Sequence, residues 1–113
     1  WGDGKQTRSF LFIDDCIDAF YKILKKNKNN EVYNIGSDKE ISVLKLANII
    51  KKICNSNSKI LFNSKKFTKL GGYEDISRRV PSIDKLKKQI QWRPKISLEK
   101  GLIKMRDHIE KNF

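Results

Sequence analysis

A glycine turn that hands an arginine to an apolar run is the first feature of this sequence with chemical potential. Gly2-Asp3-Gly4-Lys5-Gln6-Thr7-Arg8 leads through Ser9 into Phe10-Leu11-Phe12-Ile13, and Asp14-Asp15 follow directly. The two glycines can take positive φ around a turn-favouring aspartate. Arginine's planar fork suits bidentate binding of phosphate oxygens better than a lysine point charge does. On residues alone, an arginine such as Arg8 is more often a surface residue or a salt-bridge partner than part of an anion site. Metal chemistry has less support. Cys16 and Cys54 lack ligand spacing, and His108 cannot complete a site with them. Two reduced cysteines facing a core are expected instead.

The elements that must position Arg8 follow from periodicity. Phe10–Ile13 is a short run of strand formers bounded by acids, which predicts a buried strand. Asp14 and Asp15 are placed to cap a following helix, whose Ile17, Phe20, Tyr21 and Leu24 recur at helical spacing. That helix should end in the polar stretch at 27–30. Glu31–Ile35 is a second strand candidate, stopped by Gly36. Ser42 caps a longer helix with Leu46, Ile49, Ile50 and Ile53 on one stripe, and Ile60-Leu61-Phe62 is a third short strand. No element is predicted over 63–76. Pro81 and Ser82 open a helix bearing Ile83, Leu86 and Ile90, which Trp92-Arg93-Pro94 breaks. Ser97 then caps a last helix carrying Leu98, Leu102, Met105 and Ile109. The order β-α-β-α-β-loop-α-α is an α/β pattern.

Composition narrows the class without deciding it. A chain of 113 residues with 38% hydrophobic content has the size of one small domain or part of one. It opens at Trp1 and not at Met, so a piece of a longer protein is expected. No apolar run approaches the ~20 residues that span a bilayer, and no signal sequence is visible, so a cytoplasmic location is expected. The net charge of +12 invites a nucleic-acid reading. The excess is largely lysine strewn along the whole length, which favours solvated helix faces.

Specificity comes from the motifs taken together. Gly2-Asp3-Gly4-Lys5-Gln6-Thr7-Arg8, the apolar run and Asp14-Asp15 form the first block, and Val32-Tyr33-Asn34-Ile35-Gly36 the second. Arg78-Arg79-Val80-Pro81-Ser82-Ile83, Gln91-Trp92-Arg93-Pro94 and Leu98-Glu99-Lys100-Gly101-Leu102 follow in order. This series resembles the C-terminal part of the extended short-chain dehydrogenase/reductases, the NAD-dependent nucleotide-sugar epimerases, dehydratases and decarboxylases. The resemblance implies that residues 1–113 are the small α/β substrate-binding portion, with Val32–Ile35 adding an edge strand to a Rossmann sheet on an absent N-terminal half. It implies NAD as the cofactor of that half and no cofactor site here. Arg8 matches an arginine on the substrate's diphosphate, and Arg79 one reaching the diphosphate or ribose from the opposite wall. Gln6 belongs to the same motif, shaping the loop more than touching ligand. Asp15 matches a helix-start acid for which capping is the expected role, and Trp92 a packing residue.

The family's catalytic Tyr-x-x-x-Lys lies upstream of the glycine turn, so Tyr21 and Lys25, which share its spacing, are a decoy. Tyr21 is expected in the core and Lys25 in water. The isolated chain should therefore be inactive, and its exposed seam should favour self-association, a homodimer included. Three departures are visible: Gln91 replaces a turn glycine, Ser82 a common aspartate, and Gly71-Gly72-Tyr73-Glu74-Asp75 the arginine-preceded pair of the 4-epimerase branch. The sugar and the reaction stay open. The alternative is a small basic anion- or nucleic-acid-binding module with no enzymatic parent.

Overall fold

The computed structural model describes residues 2–26, 30–62 and 76–112. The predicted polar helix end at 27–29, the lysine-containing loop and the Gly71–Asp75 departure lie outside them. The chain divides into two compact units, one from residues 1–8 and 41–79 and the other from 9–40 and 80–113.

The first unit is organised by a three-stranded sheet. Strand β1 (Thr7–Ser9) is central, between β2 (Glu40–Ser42) and β3 (Arg78–Arg79). β1 and β3 run parallel with Thr7 opposite Arg78 and Arg8 opposite Arg79. The Thr7 N–H donates to Ser77 O at 2.8 Å and starts that ladder. Helix α2 (Val43–Ile53) follows β2 directly. Ser42 is its N-cap as expected, its Oγ accepting the Lys45 N–H at 3.2 Å. The glycine turn is fastened to the same helix end, because Val43 N–H donates to Gln6 O and Leu44 N–H to Gly4 O, both at 3.0 Å. Gly4 has φ of +74°, and a Cβ there would stand 2.9 Å from Leu44 Cβ. Both conformation and space call for glycine.

The second unit holds the core: Ala19, Ile83, Leu86, Ile90 and Trp92, with Leu11, Ile23, Tyr33 and Ile35 packed against it. Helix α1 (Ile13–Lys26) contributes its Asp15, Ala19, Ile23 edge. Asp15 is buried and does not cap its own helix. Its Oδ2 accepts the Lys95 and Ile96 N–H groups at 3.0 and 2.8 Å, fixing the approach to helix α3 (Leu98–Asn112). Trp92 packs as expected at 1% exposure, with Nε1–H donating to Asp18 at 3.0 Å. The Pro81 helix is short and ends in a π-helical turn, Leu86–Ile90. Ser97 does cap α3, accepting the Lys100 N–H at 3.3 Å.

The strand expectations need correction. Phe10–Ile13 is not a strand; the ladder lies over Thr7–Ser9, and Ile13 already opens α1. Hydrogen-bond partners decide strand position, and these reach Thr7 and not Phe10. Neither Glu31–Ile35 nor Ile60–Phe62 joins a ladder among the described residues. The apolar stripe of α1 is also reversed: Ile17, Phe20, Tyr21 and Leu24 are exposed, so Tyr21 is not core. Replacing the family's glycine by Gln91 has not removed the turn. Gln91 itself adopts φ 56°, ψ 40°, and Trp92 N–H reaches back to Leu86 O at 3.4 Å.

Candidate anion site on parallel strands

Arg8 stands in mid-strand because β1 begins at Thr7, and Arg79 enters the same sheet because its chain is extended before Pro81. The residue preceding a proline is pushed out of helical conformations, which sets Val80 and eases Arg78 and Arg79 into a strand. That signal was available in the sequence, but it constrains Val80, and the ladder at Arg78–Arg79 is set by pairing with β1. Parallel register then places Arg8 beside Arg79, on strands whose spacing is typically about 4.8 Å. Register partners share a face, so the two arginines are neighbours on one sheet and do not face each other from opposite walls, as the sequence suggested.

The two guanidinium groups differ in their surroundings. Arg8 is half-buried, and its Nη1 donates to Thr7 O and Ile76 O, each at 2.7 Å. Those carbonyls hold the head at the β1–β3 seam. Arg79 is exposed and has no hydrogen bond or ion pair among the described residues. Like charges on neighbouring strands repel, and an anion shared between them would offset that repulsion. Gln6 is half-buried at the base of the turn. Its carbonyl holds α2, and its side-chain amide lies beside Gly2, where a Cβ would be 3.8 Å from Nε2.

Several of the other charged groups are paired. Lys22 pairs with Asp18 at 3.1 Å, Lys87 with Asp38 at 2.6 Å and Lys104 with Asp14 at 3.5 Å. These pairs draw on α1, α3, the π-helical turn and the segment before β2. Asp18 and Asp38 both titrate below the usual carboxylate range, chiefly through their lysine hydrogen bonds. Lys25 Nζ sits 4.9 Å from the Tyr21 ring centre, a cation–π contact on the outer face of α1. No cluster among the described residues could hold a metal ion.

A dinucleotide site can be tested against the helix starts. Binding a pyrophosphate there needs glycines between strand and helix so that the backbone can approach it. α1 is entered through Phe10-Leu11-Phe12 and α2 through Glu40-Ile41-Ser42, with no glycine in either. These residues do not fit NAD.

A sequence model of the GDP-mannose 4,6-dehydratase family matches residues 1–105. UDP-N-acetyl-alpha-D-glucosaminuronate decarboxylase of Bacillus cytotoxicus is 37% identical over 102 residues, 90% of this chain and 32% of its own length. The crystal structure of UDP-glucuronic acid 4-epimerase from Bacillus cereus, with UDP-glucuronic acid and NAD, superposes at TM-score 0.83 with 31% identity. That match covers 100% of this chain and 35% of the epimerase. UDP-glucose 4-epimerase of Thermotoga maritima, solved with UDP-glucose, gives TM-score 0.85 at 27% identity, over 98% of this chain and 34% of its own. The chain thus spans about a third of the length of the relatives it matches.

Proposed function

The chain belongs to the GDP-mannose 4,6-dehydratase family of NAD-dependent nucleotide-sugar epimerases, dehydratases and decarboxylases, and on that premise we propose that residues 1–113 hold the diphosphate of a nucleotide-sugar inside a longer enzyme. The observation that carries this reading is the register pairing of Arg8 with Arg79 on parallel strands. A diphosphate bears about two negative charges and several planar sets of acceptor oxygens, which suits two adjacent guanidinium forks. Arg79 supplies an exposed fork, and Arg8 a fork anchored to the backbone at Nη1. Gln6 supports the turn from which Arg8 departs.

Held at its diphosphate, the substrate has its sugar ring oriented from a distance. Binding energy from that remote group is then available to position the ring for reaction. The reacting groups and NAD, which is bound in the Bacillus cereus epimerase, belong in this reading to a further portion of the enzyme. The 113-residue chain alone is accordingly inactive and does not bind NAD. A cytoplasmic location is part of the same proposal; no helix among the described residues is long and apolar enough to cross a membrane.

Competition tests the reading in a polypeptide of full family length carrying residues 1–113. A nucleoside diphosphate should displace the bound nucleotide-sugar, whereas the nucleoside and the free sugar should not. Displacement by free sugar as effective as by nucleoside diphosphate would remove the diphosphate from the centre of recognition.

A further inference from the structure

The peptide unit between Gln6 and Thr7 is held at both of its polar ends. Its carbonyl accepts the Val43 N–H at 3.0 Å, and its N–H donates to Ser77 O at 2.8 Å. One partner opens helix α2, and the other immediately precedes β3. All of these residues lie in the unit of residues 1–8 and 41–79. Arg8 is the next residue of β1 after Thr7. The C=O and N–H of a trans peptide point in opposite directions, so bonds on both sides fix its plane, whereas a bond on one side leaves it free to swing.

The helix side of this mount follows from local chemistry. A helix start leaves its first N–H groups without partners inside the helix. In α2 those of Val43, Leu44 and Lys45 are taken by Gln6 O, Gly4 O and Ser42 Oγ. The two carbonyls also lie at the positive end of the helix dipole. The helix start is thereby committed to the turn and is not itself a ligand site. Gly4 permits the approach, because a Cβ there would stand 2.9 Å from Leu44 Cβ. We infer that Val43, through its backbone N–H, is a positioning residue for Arg8. It fixes the peptide from which β1 starts, so that Arg8 reaches its register place beside Arg79. With that bond gone, the Thr7 N–H turns away from Ser77 O and the β1–β3 pairing loosens at the step before Arg8. The inference rests on the proposed function and adds to it a residue that acts on the substrate only through Arg8.

Val43→Pro tests this, since it removes the N–H at the first helical position, where proline is tolerated. The preceding Ser42 already has the extended conformation that a proline demands, at φ −74° and ψ 150°. Calorimetry on the family-length protein uses whichever of UDP, GDP and dTDP binds most tightly. Val43→Pro should raise its dissociation constant at least about fivefold, a part of what a charge-assisted hydrogen bond is worth. Val43→Ala, which keeps the N–H, should stay within about twofold of the parent. In an Arg8→Ala background Val43→Pro should add less than about twofold, because the two act as one unit. Gly4→Ala, which forces α2 away from the turn, should repeat the rise and its disappearance without Arg8, and decides the matter where the proline variant does not fold. Parent-like binding by Val43→Pro would overturn the inference. So would an equal loss with Val43→Ala, or a loss that persists undiminished without Arg8, which marks a general support of the fold. Those outcomes leave the arginine reading standing. Parent-like binding by Arg8→Ala, or no binding of any of the three diphosphates, would sink that reading and this inference with it.

Discussion

Arg8 and Arg79, 71 positions apart in the sequence, are register partners on the parallel strands β1 and β3. Their equivalence ends at the guanidinium heads, since Arg8 is tied to Thr7 O and Ile76 O while Arg79 is exposed. Replacing them should therefore give different stability signatures. Arg8→Ala should lower the urea midpoint, because it removes hydrogen bonds from a charged donor worth roughly 1.5–3 kcal/mol before discounting for partial exposure. Arg79→Ala should leave the midpoint within about 0.5 kcal/mol of the parent. Equal losses in the two variants would mean that the carbonyl contacts of Arg8 contribute nothing.

Gln91 holds a left-handed conformation at φ 56° where the related motif has glycine. A non-glycine residue there carries a strain of about 1–2 kcal/mol, partly offset by glycine's larger entropy in the unfolded chain. Gln91→Gly should raise the stability of the domain by up to about 1 kcal/mol in chemical denaturation. A destabilised variant would show that the Gln91 side chain makes a compensating contribution.

That turn also shows what was legible beforehand. Its position was readable from Trp92 and Pro94, but its survival without glycine was not, because strain tolerated by the surrounding packing leaves no mark in composition. The α/β class, the Ser42 and Ser97 caps and the packing of Trp92 were all visible as local chemistry. The strand at Thr7–Ser9 was misplaced toward Phe10, since hydrogen-bond partners 70 residues away settled it. The α1 stripe was read as inward-facing for a related reason: periodicity shows that a face is apolar, not which neighbour covers it. Arg8 and Arg79 were found by motif, and their adjacency emerged only from β3.

Asp15 offers a sharper test of tertiary wiring. Its buried carboxylate receives two backbone N–H groups from the segment leading into α3. Asp15→Ala leaves both part-buried donors without their acceptor, and a fully buried orphaned group costs about 1–3 kcal/mol. A loss of about 1–2 kcal/mol is expected, with early hydrogen exchange at Lys95 and Ile96. If exchange at those amides were unchanged, the carboxylate would not be holding them.

The Asp38–Lys87 pair sets a pH dependence. Hydrogen bonding to Lys87 holds Asp38 below the usual carboxylate range, and the same bond raises Lys87 above the usual lysine range. Stability from Asp38 is present above the ordinary carboxylate range and is lost as pH falls through its lowered value. Stability from Lys87 is present below the ordinary lysine range and is lost as pH rises through its raised value. The pair is thus complete around neutrality and fails at both extremes. Lys87→Met should flatten both limbs of a urea-midpoint profile by a small amount, as befits a solvent-screened pair. An acid limb identical to the parent's would remove Asp38 as its source.

The diphosphate role of the arginine pair is tested most directly by calorimetric titration of a nucleotide-sugar into the family-length protein, with and without Arg79→Ala, at one fixed salt concentration. A charge-assisted hydrogen bond to an anion is worth roughly 1.5–3 kcal/mol. The dissociation constant should therefore rise about tenfold to a hundredfold, Arg79→Lys should recover part of that, and NAD affinity should not move. An Arg79→Ala protein that binds the nucleotide-sugar as tightly as the parent would contradict the account, because the exposed fork beside Arg8 would then hold no part of the substrate.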